Sequence, residues 1–181
     1  MLFRSARFFP RLKDLALGVE GRNPQAPEAH LDCAAFGHLP CLEFLSINGW
    51  GWVELKGGVS LPALTRLQLS SVSCVDIDAA LPSLRVLYLS SVNVVQLGGE
   101  RLQLPRLARL EAMFIKDSLA VAWAGMPRLA SLHVEGSEGC AVTTAGLAGL
   151  TRLTSLWLPY VNDQSSREPY DSLLAAAPPS L

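Results

Sequence analysis

The sequence predicts an α/β solenoid: a curved parallel β-sheet on a concave face, with short helices and extended segments on a convex face. Three observations carry this. One phrase occurs seven times: FPRLKDLALGVE from Phe9, LPCLEFLSINGW from Leu39, LPALTRLQLSSV from Leu61, LPSLRVLYLSSV from Leu81, LPRLARLEAMFI from Leu104, MPRLASLHVEGS from Met126 and LTRLTSLWLPYV from Leu150. From Leu39 onward the starts lie 22, 20, 23, 22 and 24 residues apart. A period in the low twenties marks a stack of units, each burying its apolar edge against its neighbours. Within each phrase the pattern is that of a strand. Leu84, Leu87 and Leu89 point one way, while Arg85, Val86, Tyr88 and Ser90 do not. Leu87 and Leu110 are therefore expected in the core.

In chain order, Phe9 to Leu17 is the first recognisable strand. The turn-rich GRNPQAP follows, and from Pro27 the stretch EAHLDCAAF is expected to be a helix ended by Gly37. The next three units carry a second short apolar pair after the strand: Val53 and Leu55, Val75 and Ile77, Val95 and Leu97. These segments are too short and too β-branched for helix, so they are expected to be extended. Gly57-Gly58 and Gly98-Gly99 offer turns back. The later units are expected to be helical on the convex side. Asp117 or Ser118 would cap SLAVAWAG, Thr143 or Thr144 would cap AGLAGL, and Asp171 or Ser172 would cap SLLAAA. The chain reads as a single domain over residues 1–181 with about seven repeats, either a fragment of a longer array or one without complete caps.

The phrase LxxLxL, repeated every twenty-odd residues over about 9–161, resembles the leucine-rich repeat family. The leucines match, but the Asn or Cys position that follows them holds Trp50, Val72, Val92, Ile115, Ser137 and Val161. In the family that polar ladder satisfies backbone groups leaving the strand, so here those groups need other partners. Phrases such as LPALTRLQLSSV are similar to the repeats of plant F-box proteins with leucine-rich repeats, the substrate receptors of ubiquitin ligases. That likeness implies an alternative function, substrate recognition with a ligase adaptor bound through a further domain. These residues contain no F-box.

Composition narrows the function classes. The formal net charge is −1, so no overall field favours nucleic acid or an anionic membrane as partner. The longest run without a charged residue, Val86 to Gly99, has 14 residues; a bilayer span needs about 20. Arg4, Arg7, Arg11 and Lys13 precede the first acid, Asp14, but the repeat starting at Phe9 accounts for this stretch better than a targeting peptide does. Cys33, Cys41, Cys74 and Cys140 read as free thiols of an intracellular protein, in the cytoplasm or else the nucleus or cilium.

Chemistry leaves few traces. The chain has no P-loop and no Gly-x-Ser-x-Gly elbow, so the expectation is a non-enzymatic chain without cofactor. His30-x2-Cys33-x4-His38-x2-Cys41 has zinc-type ligands. Its spacing is tight, and Cys41 already belongs to a repeat, so zinc binding stands only as an alternative. Asp76 and Asp78 read as a solvated turn, and alternation across Trp50-Gly51-Trp52 should bury one ring and expose the other.

Binding is expected on the strands' outward side chains. One column holds Ser46, Gln68, Tyr88, Glu111, His133 and Trp157; another holds Phe44, Arg66, Val86, Arg109, Ser131 and Ser155. Tyr, Trp and Arg often dominate interface energy. The expected site for a protein or peptide partner is Tyr88, Arg109, Glu111, His133, Trp157 and Tyr160.

Overall fold

The computed structural model describes residues 9–19, 30–33, 36, 39–56, 59, 61–137, 140–143 and 145–158. The strands are β1 (Asp14–Gly18), β2 (His30–Asp32), β3 (Phe44–Asn48), β4 (Trp52–Lys56), β5 (Arg66–Ser70), β6 (Cys74–Asp78), β7 (Val86–Ser90), β8 (Val94–Leu97), β9 (Arg109–Ile115), β10 (Ser118–Val121), β11 (Ser131–Gly136), β12 (Ala141–Val142) and β13 (Ser155–Trp157). The odd strands form a seven-stranded parallel sheet, sheet A. The even strands form a six-stranded parallel sheet, sheet B. The chain is a parallel β-solenoid whose rungs each carry one strand to each sheet.

Each rung begins with the same turn. The N–H of Leu42, Leu64, Leu84, Leu107 and Leu129 donates to the carbonyl three residues earlier, at Leu39, Leu61, Leu81, Leu104 and Met126. The second residue of each of these turns is proline: Pro40, Pro62, Pro82, Pro105 and Pro127. Proline suits this position because its fixed φ is the one a β-turn requires there, and no N–H is needed. The first and fourth turn residues are apolar and buried, so the turn closes the end of the core.

Alternation within the strands does the rest. Leu45, Leu67, Leu87, Leu110 and Leu132 stack in register on the inner side of sheet A. Val53, Val75, Val95 and Leu119 do so on sheet B. All are fully buried, so the core is the dry layer between the two sheets, and Leu87 and Leu110 lie in it as expected.

Between the sheets the chain turns through a left-handed corner. Gly49, Ser71, Ser91 and Phe114 each follow the outer end of a sheet A strand or close it, with φ of 79°, 53°, 55° and 57°. Their N–H groups point along the stack: Gly49 donates to the Ser70 carbonyl at 3.1 Å, Ser71 to Ser90 at 2.8 Å and Ser91 to Met113 at 2.9 Å. This answers the missing Asn/Cys ladder. The next position is free to hold an apolar side chain because backbone satisfies backbone across the rungs; Val72, Val92 and Ile115 are accordingly buried.

The extended reading of the second segments holds for β4, β6 and β8, but the helical readings do not. The stretch from Ser118 forms β10, then a 3-10 turn over Trp123–Gly125; AGLAGL contains only a 3-10 turn, Leu147–Gly149; and His30–Asp32 is a strand. Over the described residues the α/β class is therefore corrected to an almost helix-free β-solenoid. The reason is non-local. Leu119 and Val121 alternate inward and pair with Val95 and Leu97 of the preceding rung, and that ladder outweighs the helix propensity of a segment too short to be stable as a helix alone. Trp123 fills the corner instead, its indole N–H donating to the Thr143 carbonyl at 2.9 Å. GRNPQAP, Gly57-Gly58, Thr144 and SLLAAA lie outside the described residues. Among the described residues no helix is long and apolar enough to cross a membrane.

Candidate functional site

The outer face of sheet A carries both expected columns in register. Ser46 pairs with Gln68, Gln68 with Tyr88, Tyr88 with Glu111, Glu111 with His133 and His133 with Trp157. Phe44, Arg66, Val86, Arg109, Ser131 and Ser155 form the second column in the same way. Tyr88, Arg109, Glu111, His133 and Trp157 thus share one face; Tyr160 lies outside the described residues.

These side chains organise one another only lightly. Arg109 binds the Glu111 carboxylate, two residues along the same strand. The His133 ring packs against Trp157 at 5.7 Å. The Tyr88 hydroxyl donates to Met113 Sδ at 3.7 Å. Arg66 sits over the Phe44 ring, 5.8 Å from its centre. Trp157 is 62 % exposed. Over the described residues the face is aromatic and charged.

One residue was missed by sequence reasoning. Phe114 is 52 % exposed and occupies the left-handed corner. A bulky side chain there is strained, and strained residues of this kind cluster at binding and switch sites. The signal is in the sequence once the corner column is aligned: Gly49, Ser71 and Ser91 are small, and Phe114 is not.

Sheet B presents a different face. Glu54, Asp76 and Lys56 form a cluster, with Lys56 Nζ 2.6 Å from Glu54 and 2.9 Å from Asp76. His30 reaches Glu54 at 3.2 Å and packs edge-on to Trp52. The hydrogen bond from Lys56 holds the Glu54 carboxyl below the usual range, and the same contacts push Lys56 up. Asp78 accepts the Arg101 backbone N–H at 2.9 Å. Asp76 and Asp78 are therefore partnered residues of one strand, β6, not a solvated turn. Trp52 is the exposed ring of its pair, at 39 %; Trp50 packs against the core.

The described zinc-type residues do not converge. His30 lies on the outer face of sheet B. Cys33 is buried in the core, its thiol pushed up by burial, and Cys41 is exposed at a sheet A turn. His38 is outside the described residues, and among those described no group of three or more His, Cys, Asp or Glu side chains could hold a metal ion. All four cysteines are free. No family model, curated protein or solved structure matches the chain.

Proposed function

We propose that the chain is a non-enzymatic interaction module of leucine-rich repeat type, binding a protein or peptide partner on the outer face of sheet A. The observation that supports this most is the registered column Tyr88–Glu111–His133–Trp157 with its exposed indole. Rigid aromatic side chains on a regular sheet lose little entropy on binding and offer large contact areas. Phe114 at its corner adds a second exposed ring.

The test is affinity capture with the full chain and two variants. A protein retained by the wild type should be lost by Trp157→Ala, weakened by more than about 1 kcal/mol as for a hot-spot residue, and kept by Trp52→Ala on sheet B. Equal retention by Trp157→Ala and wild type would remove the site from this face.

A further inference from the structure

The turns that open the last three described rungs share one more feature. Their third residue is arginine each time: Arg106, Arg128 and Arg152. All three are exposed. Earlier the same column holds Arg11, Cys41, Ala63 and Ser83, so arginine follows arginine on adjacent rungs only in these last three. The backbones stack, because the Ala130 N–H donates to the Ala108 carbonyl and the Thr154 N–H to Ala130, both at 2.9 Å. Adjacent parallel rungs lie about 4.8 Å apart, which sets the three arginine positions in a line.

Like charges placed opposite one another on neighbouring strands repel. No ion pair to any of the three is formed among the described residues, whereas Lys13, Lys56, Arg109 and the sheet B acids have partners. The residues between the column and the aromatic face are small and neutral at Ala108, Ala130, Ser131, Thr154 and Ser155, and Arg109, in register with the two serines, is already paired with Glu111. The fold thus leaves an uncompensated cationic line with open ground beside it, on the rungs that carry Glu111, His133 and Trp157.

We propose that Arg106, Arg128 and Arg152 form an anion-binding ladder for an extended acidic segment of the protein partner, laid along the solenoid axis beside the aromatic column. Guanidinium groups recognise carboxylates by paired N–H donors, so a row of them selects Asp- or Glu-rich chain. A nucleic acid fits less well: the chain's acids outnumber its Lys and Arg 16 to 15, and Glu111 and Glu135 lie on the same sheet. The inference rests on the sheet A reading for what the segment belongs to; the ladder itself is tested separately.

The experiment is fluorescence anisotropy on the full chain. Its probes are a fluorescein-labelled peptide of alternating glutamate and serine, its glutamine counterpart, and an oligothymidylate of equal charge. The glutamate peptide should bind at low salt and be released by high salt. Arg106→Gln/Arg128→Gln/Arg152→Gln should weaken it about tenfold, as the loss of three exposed ion pairs allows. The corresponding triple lysine variant should lie between, and circular dichroism should show both variants folded. Failure of the wild type to bind, equal binding of the glutamine peptide or the triple glutamine variant, or tighter binding of the oligothymidylate would overturn the ladder. Loss of peptide by the triple variant, together with unchanged partner capture by Trp157→Ala, would leave the ladder standing and remove only the aromatic column.

Discussion

The two sheets share one core yet spend their surface charge differently. On sheet B the charged side chains answer one another: Lys56 bridges Glu54 and Asp76, His30 reaches Glu54, and Asp78 holds the Arg101 backbone. On sheet A the last rungs leave Trp157, Phe114 and a column of arginines facing outward without such closure. A parallel solenoid repeats both faces at every rung, so geometry alone cannot make one of them special. The difference lies in whether the side chains of successive rungs complement each other or accumulate.

The widest break of that comparison is to ask whether the two sheets can fail separately. Leu87 faces inward from sheet A and Leu97 from sheet B, both fully buried. Alanine at either position should cost about 2–5 kcal/mol, with one cooperative transition in a thermal melt followed by circular dichroism. Equal losses would mean that the core belongs to both sheets; a two-step melt for either variant would separate them. Next in size is Gly99, whose φ is +119° and where a Cβ would run into the Asp78 carboxylate. Gly99→Ala should cost about 1–3 kcal/mol through backbone strain and loosen the loop that Asp78 caps; an unchanged chemical denaturation midpoint would show that the loop tolerates the crowding.

The third prediction runs the other way. Phe114→Gly removes a bulky side chain from a left-handed corner, and should stabilise the fold by about 1 kcal/mol, or about 2–4 °C in Tm for a chain of this size. If Phe114 serves the partner face, the same variant should weaken binding while it raises Tm. A lower Tm would mean that the ring packs more than its exposure suggests.

Much of the architecture was legible because it is written in a single period. Alternation placed Leu45, Leu67, Leu87 and Leu110 inward and their neighbours outward, and the columns stack as read. What misled was local. SLAVAWAG has helix-forming alanines and a capping residue, yet its leucine and valine serve a ladder set by the rung before it. Propensity within nine residues says nothing about a hydrogen-bonding edge supplied by Val94–Leu97. The Asn/Cys position misled for a similar reason. The polar group it lacks is replaced by the conformation of the residue before it, and φ is not visible in a side chain. Sheet B's Lys56 cluster was invisible because its members come from two rungs, 20 and 22 residues apart. That is the same distance that made the leucines readable, but no repeat of Lys56 marks it.

The smallest effect is the sharpest test of the contrast. Glu54 has its carboxyl held below the ordinary value of 4.5, first by the hydrogen bond from Lys56 and then by the Lys56 and His30 charges. A lowered carboxyl contributes stability above its unfolded value and loses it as pH falls through the folded one. Lys56 is raised above 10.5 by Glu54 and Asp76, so its contribution is present below that value and is lost as pH climbs through the folded one. The cluster therefore stabilises fully only between those limits. Lys56→Gln should lower Tm slightly at pH 7; the deficit should shrink in acid, as Glu54 protonates, and at high salt. Arg128→Gln should do the opposite, because Arg128 stands between two arginines and has no acid partner among the described residues: Tm should hold or rise, most visibly at low salt. If Arg128→Gln instead lowers Tm as Lys56→Gln does, the arginine column is closed within the fold, and the two faces are alike after all.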